Sequence, residues 1–416
     1  MQNRRIYLCL AHMSGEEQKF IQEAFDTNWV VPLGPNVNGF EADLEEYVGG
    51  NKSVVALSSG TAALHLALIA CGVGQGDEVL CQSFTFCASA NPITYLGATP
   101  IFIDSEAESW NMCPELLEHA IKERQTQGRP LPKAIVVVYL YGMPARIDEI
   151  VEIGKRYGIP VIEDAAEALG SRYKGKMCGT IGEYGVLSFN GNKMITTSGG
   201  GALICTDVAH KQQIMFYATQ AREAYSYYQH EKIGYNYRMS NICAGIGRGQ
   251  MLVVKEHVKH HQRLCALYDE LFKDMEGITL HKNPTTDYDS NYWLCTILLD
   301  SKLRIKGEEH AYESAVTKAV GGAGGAIHLT DRLHTDCEPN NNVEALRMAL
   351  DSAGIEARPL WKPMHLQPVF QGSPAYLNGV SERLFRCGLC LPSGPCVTED
   401  DVRYIVEQIE QNIVYR

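Results

Sequence analysis

Lys193 stands directly after a glycine-containing turn, Ser188-Phe189-Asn190-Gly191-Asn192-Lys193. An amine held in such a loop becomes nucleophilic near neutral pH if its surroundings are apolar or another cation is close; viewed alone, the same segment also fits an ordinary surface lysine. Asp164 ends the apolar run Val161-Ile162-Glu163-Asp164. A carboxylate at the C-terminal end of a buried strand faces the crevice where open α/β sheets take ligands. There it can hold a cationic ring nitrogen, cap a helix or serve as a structural partner. Ser58-Ser59-Gly60-Thr61 separates a strand pattern from a helix pattern. Such a turn aims free N–H groups and a positive dipole end at one spot, and small residues let an anion come close. It is equally a plain N-cap. Ser198-Gly199-Gly200-Gly201 leads into a further strand and suits close backbone approach or a flexible turn.

The elements that must position these residues alternate between residues 50 and 205. Strands are expected at Ser53–Leu57, Glu78–Cys81, Pro100–Asp104, Ala134–Leu140, Ile159–Glu163, Gly185–Phe189 and Ala202–Cys205. Helices are expected at Thr61–Ala70 and Ile147–Tyr157. Strands alternating with helices of this length imply parallel βα units, hence an α/β sheet sandwiched by helices. Helical patterns dominate later, around 242–272, 343–353 and 398–413, with a strand candidate at Tyr292–Leu299, which gives a second, smaller α+β lobe. Residues 302–342, polar and glycine-rich at 321–326, read as a long surface insertion.

Taken together and in chain order, the four features meet the demands of pyridoxal 5'-phosphate (PLP) chemistry. The phosphate needs a helix N-terminus. The pyridine nitrogen needs an aspartate to stay protonated, so that the ring acts as an electron sink. The aldehyde needs a lysine, and the ring faces need an aromatic or apolar clamp.

These residues resemble the DegT family of sugar aminotransferases, PLP-dependent transferases of fold type I, from about Trp29 to Leu391-Pro392-Ser393-Gly394. Ser59-Gly60-Thr61-Ala62-Ala63-Leu64 is similar to the family's phosphate-binding segment. Phe84-Thr85-Phe86 is similar to the next, which implies that Phe86 stacks on the pyridine ring. Glu163-Asp164-Ala165-Ala166-Glu167-Ala168 resembles its acidic motif, implying Asp164 on the ring nitrogen and Glu167 near the 3-oxygen. The resemblance further implies Ser188 at the phosphate, Lys193 joined to the cofactor, and Asn236 of Tyr235-Asn236-Tyr237-Arg238-Met239 reaching the phosphate across a homodimer interface. Arg358-Pro359-Leu360-Trp361-Lys362-Pro363-Met364-His365 is similar to the branch that aminates C4 of UDP-linked 4-keto-6-deoxy sugars. Arg238, Trp361, Lys362 and His365 are accordingly candidates for substrate contact, since a diphosphate favours such cations; Trp361 could instead be core and Lys362 a surface charge. The implied architecture is a large domain over 26–255 with a mixed, mostly parallel sheet, and a small α+β domain from 1–25 and 256–416. The implied activity is transfer of an amino group, with glutamate as donor, in surface polysaccharide or glycan precursor synthesis. Three departures stand out: Tyr139 where the family often has His, Glu167 where Gln or His is more usual, and residues 302–342, which are longer than the family pattern implies. The alternatives are a PLP-dependent sugar dehydratase, in which the resemblance would put a His in place of Lys193, and a non-catalytic regulatory relative.

Composition bounds the rest. The chain has 416 residues, 45% hydrophobic and 21% charged, with a formal net charge of −12. That argues against a nucleic-acid binder, and no apolar run is long enough to span a membrane. Fourteen scattered cysteines without an export signal read as reduced thiols of a cytoplasmic protein. Cys387-x-x-Cys390 reads as two buried or partly buried thiols. His257, His260 and His261 read as solvated helix residues rather than metal ligands, because the expected acidic partner is missing. Gly170-x4-Gly175-Lys176 reads as a turn, since Met177 replaces the Ser or Thr of a phosphate loop.

Overall fold

A computed structural model describes residues 4–312 and 337–414. Four apolar runs, β2 (Glu78–Gln82), β3 (Thr99–Ile103), β4 (Ala134–Val138) and β5 (Val161–Asp164), pair in parallel in the main sheet, and β1 (Ser53–Leu57) lies at its edge. After a short hairpin, β6 (Arg172–Tyr173) and β7 (Lys176–Met177), come β8 (Tyr184–Ser188) and β9 (Gly201–Cys205). The hairpin occupies the phosphate-loop lookalike, which is indeed a turn, with Lys174 and Gly175 both at positive φ. Counting β14 (Ala375–Tyr376), the strand order is β1-β9-β8-β5-β4-β2-β3-β14. Strand β9 runs antiparallel to both its neighbours, and the remaining pairs are parallel.

Strand alternation explains why this sheet is covered on both faces. In β1, Val54 and Ala56 join a core with Phe40 and Leu44, while Val55 and Leu57 join one with Leu64 and Leu68. Both runs are fully buried, as expected of strands with no solvated face. The connecting helices follow from local signals. In Ile147–Tyr157, Ile147, Ile150 and Ile153 line the buried stripe, Asp148 and Glu149 sit in the first turn, Lys155 and Arg156 in the last, and Gly158 closes it in the left-handed conformation.

The C-terminal lobe packs three helices on an antiparallel sheet. Strand order is β10-β12-β15-β13, made by β10 (Ile278–Leu280), β12 (Cys295–Leu299), β13 (Arg358–Pro359) and β15 (Gly388–Leu391); β11 (Tyr288–Asp289) pairs with β6 instead. The long helix Val254–Phe272, the helix Asn341–Ser352 and the helix Glu399–Asn412 cover it, the last opened by a capping box of Thr398 and Asp401. The region 242–272 is two helices, Asn241–Met251 and Val254–Phe272, rather than one.

Some positions differ from the sequence reading. Helix Glu17–Asp26, assigned above to the small domain, packs against Asn241–Met251 of the large lobe, where Gly249 leaves room for the Glu17 backbone. Strand β14, also within the small-domain range, extends the large sheet by pairing with β3. Residues 313–336 of the expected insertion lie outside the described residues. Its described flanks are not all surface, for Ile305 and Ala311 are buried in the C-terminal core. Among the described residues no helix is long and apolar enough to cross a membrane.

The histidines of Val254–Phe272 correct the expectation of a solvated face. His257 and His261 are buried, one turn apart, on the side of the helix that meets the large lobe. His257 Nδ1 lies 3.1 Å from the Met194 carbonyl, and His261 Nδ1 lies 3.1 Å from that of Tyr292. A carbonyl only accepts, so both ring nitrogens donate. Burial pushes the His261 imidazole down to about 3, from an ordinary value of 6.5. It is neutral in the fold but protonates in the unfolded chain. Its contribution to stability is therefore complete above 6.5 and is lost as pH falls toward 3. His261→Asn, which keeps a donor near Nδ1, should flatten the acid side of the stability curve by about 1 kcal/mol per pH unit between those values. Urea unfolding of both proteins across that range measures the difference in slope; parallel curves would show that His261 is charged in the fold.

Candidate active site

The first helix after β1 begins at Gly60, with Ser59 as its N-cap. The Ser59 hydroxyl accepts the Ala62 N–H at 3.0 Å and its carbonyl accepts that of Ala63. The plain capping role is thus real, yet it leaves the Gly60 and Thr61 amides at the helix end without a partner among the described residues. Ser188, the last residue of β8, closes the other side. A Cβ on Gly60 would stand 3.1 Å from the Ser188 Cβ, and one on Gly201 would lie 2.3 Å from the Gly60 nitrogen. Glycine at 60 and 201 therefore keeps open a small concavity lined by Ser59, Gly60, Thr61 and Ser188. Its amides and hydroxyls are donors suited to a phosphate.

Next to this concavity, at the C-terminal ends of the parallel strands, three ionisable side chains gather. Asp164 accepts from the Ser89 hydroxyl at 2.7 Å and from the Ala166 N–H at 3.2 Å. Burial raises its carboxyl above the ordinary value, opposed by the Ser89 hydroxyl and by the Lys193 charge. Glu167 has one oxygen fixed by the Tyr141 N–H at 2.7 Å and the other 3.1 Å from Lys193 Nζ. It too is raised by burial, with Lys193 as the largest opposing influence. The donors that an acid at 167 requires are thus the Tyr141 amide and the lysine. Lys193 is half a ring away from an aromatic surface: its Nζ lies 4.1 Å from the centroid of Trp293.

Aromatic residues wall the site. Phe86, which follows the loop after β2, is 54% exposed, an unusual state for a phenylalanine and a free ring face. Trp361 packs at 5.4 Å from Phe86 and 5.3 Å from Tyr141, and its amide donates to the Tyr141 hydroxyl at 2.9 Å. Tyr141 itself is buried at φ 56°. Non-glycine residues held there cost roughly 1 kcal/mol or more and cluster at functional sites. The payoff here is geometric, because one residue's amide and hydroxyl fix Glu167 and Trp361 together.

The structure separates the remaining candidates. Arg238 is held by partners within the chain. Its guanidinium pairs with the buried Glu41 and donates to the Ala56 carbonyl at 2.8 Å, because the 237–239 segment runs beside the end of β1. His365 turns inward as well. Its Nδ1 is 2.6 Å from the Ser83 hydroxyl and its Nε2 is 3.3 Å from Glu382, with the side chain only 6% exposed. Lys362 donates to the Cys337 carbonyl at 3.2 Å, next to Trp361 but tied to the C-terminal lobe. Asn236 is exposed on a loop whose backbone pairs with Thr219. Cys387 is half-buried and Cys390 buried, both free thiols.

Sequence reasoning missed Ser89, Tyr141 and Trp293. Nothing marks Ser89, since serine before a helix is a routine cap. Trp293 reads as part of an apolar strand run. For Tyr141 a signal exists in its following glycine: Gly142 has φ 92°, and a Cβ there would strike Asn291 Oδ1 at 1.9 Å.

Comparison with known proteins agrees with this geometry. The sequence matches the model of the DegT/DnrJ/EryC1/StrS aminotransferase family over residues 11–323 and 308–410. It is 45% identical over 409 residues to the "Putative pyridoxal phosphate-dependent aminotransferase EpsN" of Bacillus subtilis (strain 168), covering 97% of this chain and 95% of that one. It is 34% identical over 400 residues to the GDP-perosamine synthase of Escherichia coli O157:H7, covering 96% of each. The crystal structure of a DegT DnrJ EryC1 StrS aminotransferase from Brucella abortus superposes with a TM-score of 0.81 at 27% identity, covering 95% of both chains. A family match spanning nearly the whole sequence, a shared fold and a lysine flanked by two carboxylates beside an anion cradle lead to one conclusion: the chain belongs to the DegT/DnrJ/EryC1/StrS aminotransferase family.

Proposed function

We propose that this chain, a pyridoxal phosphate-dependent aminotransferase, moves an amino group from glutamate to C4 of a UDP-linked 4-keto-6-deoxy sugar, in the synthesis of surface polysaccharide or glycan precursors. The observation that carries the reading is the convergence of Lys193, Glu167 and Asp164 at the strand ends. When bound, the cofactor supplies an aldehyde that takes up an amine and a ring that delocalises the electron pair left on the neighbouring carbon. Ser59, Gly60, Thr61 and Ser188 would hold its phosphate, with Asn236 of a second copy completing that cradle in a homodimer with shared sites. Asp164 would keep a proton on the ring nitrogen, Phe86 would cover one ring face, and Glu167 would meet the 3-oxygen. The Lys193 amine, once free, would carry a proton between the cofactor carbon and the substrate carbon, as general base and then acid.

The nucleotide-linked substrate is supported by the name of the perosamine synthase relative, which is a GDP-linked one. The UDP assignment and C4 rest on the likeness of Arg358–His365 to the C4-aminating branch. Of the four substrate-contact candidates, Trp361 and Lys362 remain; Arg238 and His365 are held in structural pairs. Incubation of the cofactor-loaded protein with UDP-, GDP- and dTDP-linked 4-keto sugars and glutamate tests the reading. The expected outcome is a product whose mass shows oxygen exchanged for an amine with the UDP sugar, together with 2-oxoglutarate. Amination of the GDP or dTDP sugar alone would replace the nucleotide, and absence of amination with all three would overturn the sugar assignment.

A further inference from the structure

We infer that Glu167 and Trp293 form a resting dock for the Lys193 amine during the half of the cycle in which the amino group is carried on the cofactor and the lysine is free. This rests on the aminotransferase reading and adds to it two positioning residues. A ping-pong transfer releases the lysine once per turnover. The freed ammonium then needs a partner inside a site from which water is largely excluded, since an uncompensated buried charge is costly.

The geometry supplies that partner on two sides. The Glu167 carboxylate meets Nζ at 3.1 Å, and the Trp293 indole lies beneath it at 4.1 Å. Side-chain exposures are 13% for Lys193 and 4% for Glu167, and Trp293 is buried. An anion on one side and an aromatic face on the other is an arrangement that favours a cation. Neither arm can swing away. The second Glu167 oxygen is held by the Tyr141 amide, and the indole N–H donates to the Asn192 carbonyl at 2.6 Å. Buried Asn291 braces both arms at once. Its Nδ2 donates to the Glu167 carbonyl at 2.9 Å, and its Oδ1 accepts the Trp293 amide at 2.9 Å. Behind the dock, His257 and His261 hold the residues that follow Lys193 and precede Trp293, Met194 and Tyr292. A glutamine at 167 could fill the same space without the charge, so the acid here does something that space-filling does not require.

The test reads the lysine itself. Protein loaded with pyridoxamine 5'-phosphate is treated with acetic anhydride, and acetylation of Lys193 is followed by peptide mass spectrometry relative to the other lysines. In the parent protein Lys193 should be protected. Glu167→Gln should label about tenfold faster, the equivalent of one lost charge partner, Glu167→Asp should restore part of the protection, and Trp293→Phe should label at an intermediate rate. Equal labelling in parent and Glu167→Gln overturns the dock. Should the Gln variant not fold, Trp293→Phe decides: labelling unchanged from the parent also overturns it. Borohydride treatment of the same proteins loaded with PLP keeps the two readings apart. Failure to attach the cofactor to Lys193 in the parent defeats the cofactor assignment, whereas attachment in all proteins with no labelling difference defeats the dock alone.

Discussion

Lys193→Ala should lower turnover by roughly 10⁴-fold, the full contribution of a positioned acid-base group, and should abolish both the visible absorbance of the loaded protein and borohydride attachment at that position. Alanine removes the amine without disturbing its supports: Glu167 keeps the Tyr141 amide, and Trp293 keeps its bond to the Asn192 backbone. Loss of activity would therefore be chemical rather than structural, and an unchanged unfolding midpoint would show it. Two carboxylates and one ammonium also share this pocket, so removing the ammonium leaves Glu167 as an uncompensated buried acid. It should then take up a proton more readily, because Lys193 is the largest influence opposing its burial-raised titration. A mutant that stayed yellow and active would remove Lys193 from the reaction.

Asp164→Asn should lower turnover by about 10²- to 10³-fold, the usual loss when one preorganised charge is removed, with little loss of stability. The amide is isosteric. Its oxygen can still accept from Ala166, and its nitrogen can donate to the Ser89 hydroxyl, which can turn its own proton toward Thr85 at 2.7 Å. What disappears is only the negative charge that, in the proposed function, would keep the ring nitrogen protonated. Steady-state kinetics with the aminated sugar product as readout decides this. Turnover within a few-fold of the parent would mean that Asp164 is a structural carboxylate.

The sequence made the strand skeleton legible because its runs are apolar on both faces and bounded by turn residues. Ser53–Leu57 and Ile147–Tyr157 match the structure residue for residue. The places of Ser59 at a helix start and of Asp164 and Ser188 at strand ends follow from local pattern, as does that of Lys193 in the loop after β8. What could not be read was anything set by long-range packing. Arg238 has the chemistry of a phosphate ligand, but the partner that claims it, Glu41, is nearly two hundred residues upstream. His257 and His261 have the sequence of a polar helix face, and only the approach of the Met194 and Tyr292 carbonyls makes that face an interior one. Trp293 is the converse case, an aromatic in an apolar run whose buried ring is turned toward Lys193 and fixed by Asn291 and Asn192.

Trp293 and Asn291 immediately precede a strand of the C-terminal lobe, while Glu167 and Lys193 lie in the loops that follow β5 and β8 of the large sheet. The floor of the pocket and its reactive amine are thus encoded about a hundred residues apart. A gene severed after Phe272 would yield a first product that keeps Ser59, Asp164, Glu167, Ser188 and Lys193 and yet leaves its lysine standing over nothing. An exchange of lobes between homologous chains must therefore pair a C-terminal half whose indole fits the amine of the N-terminal half.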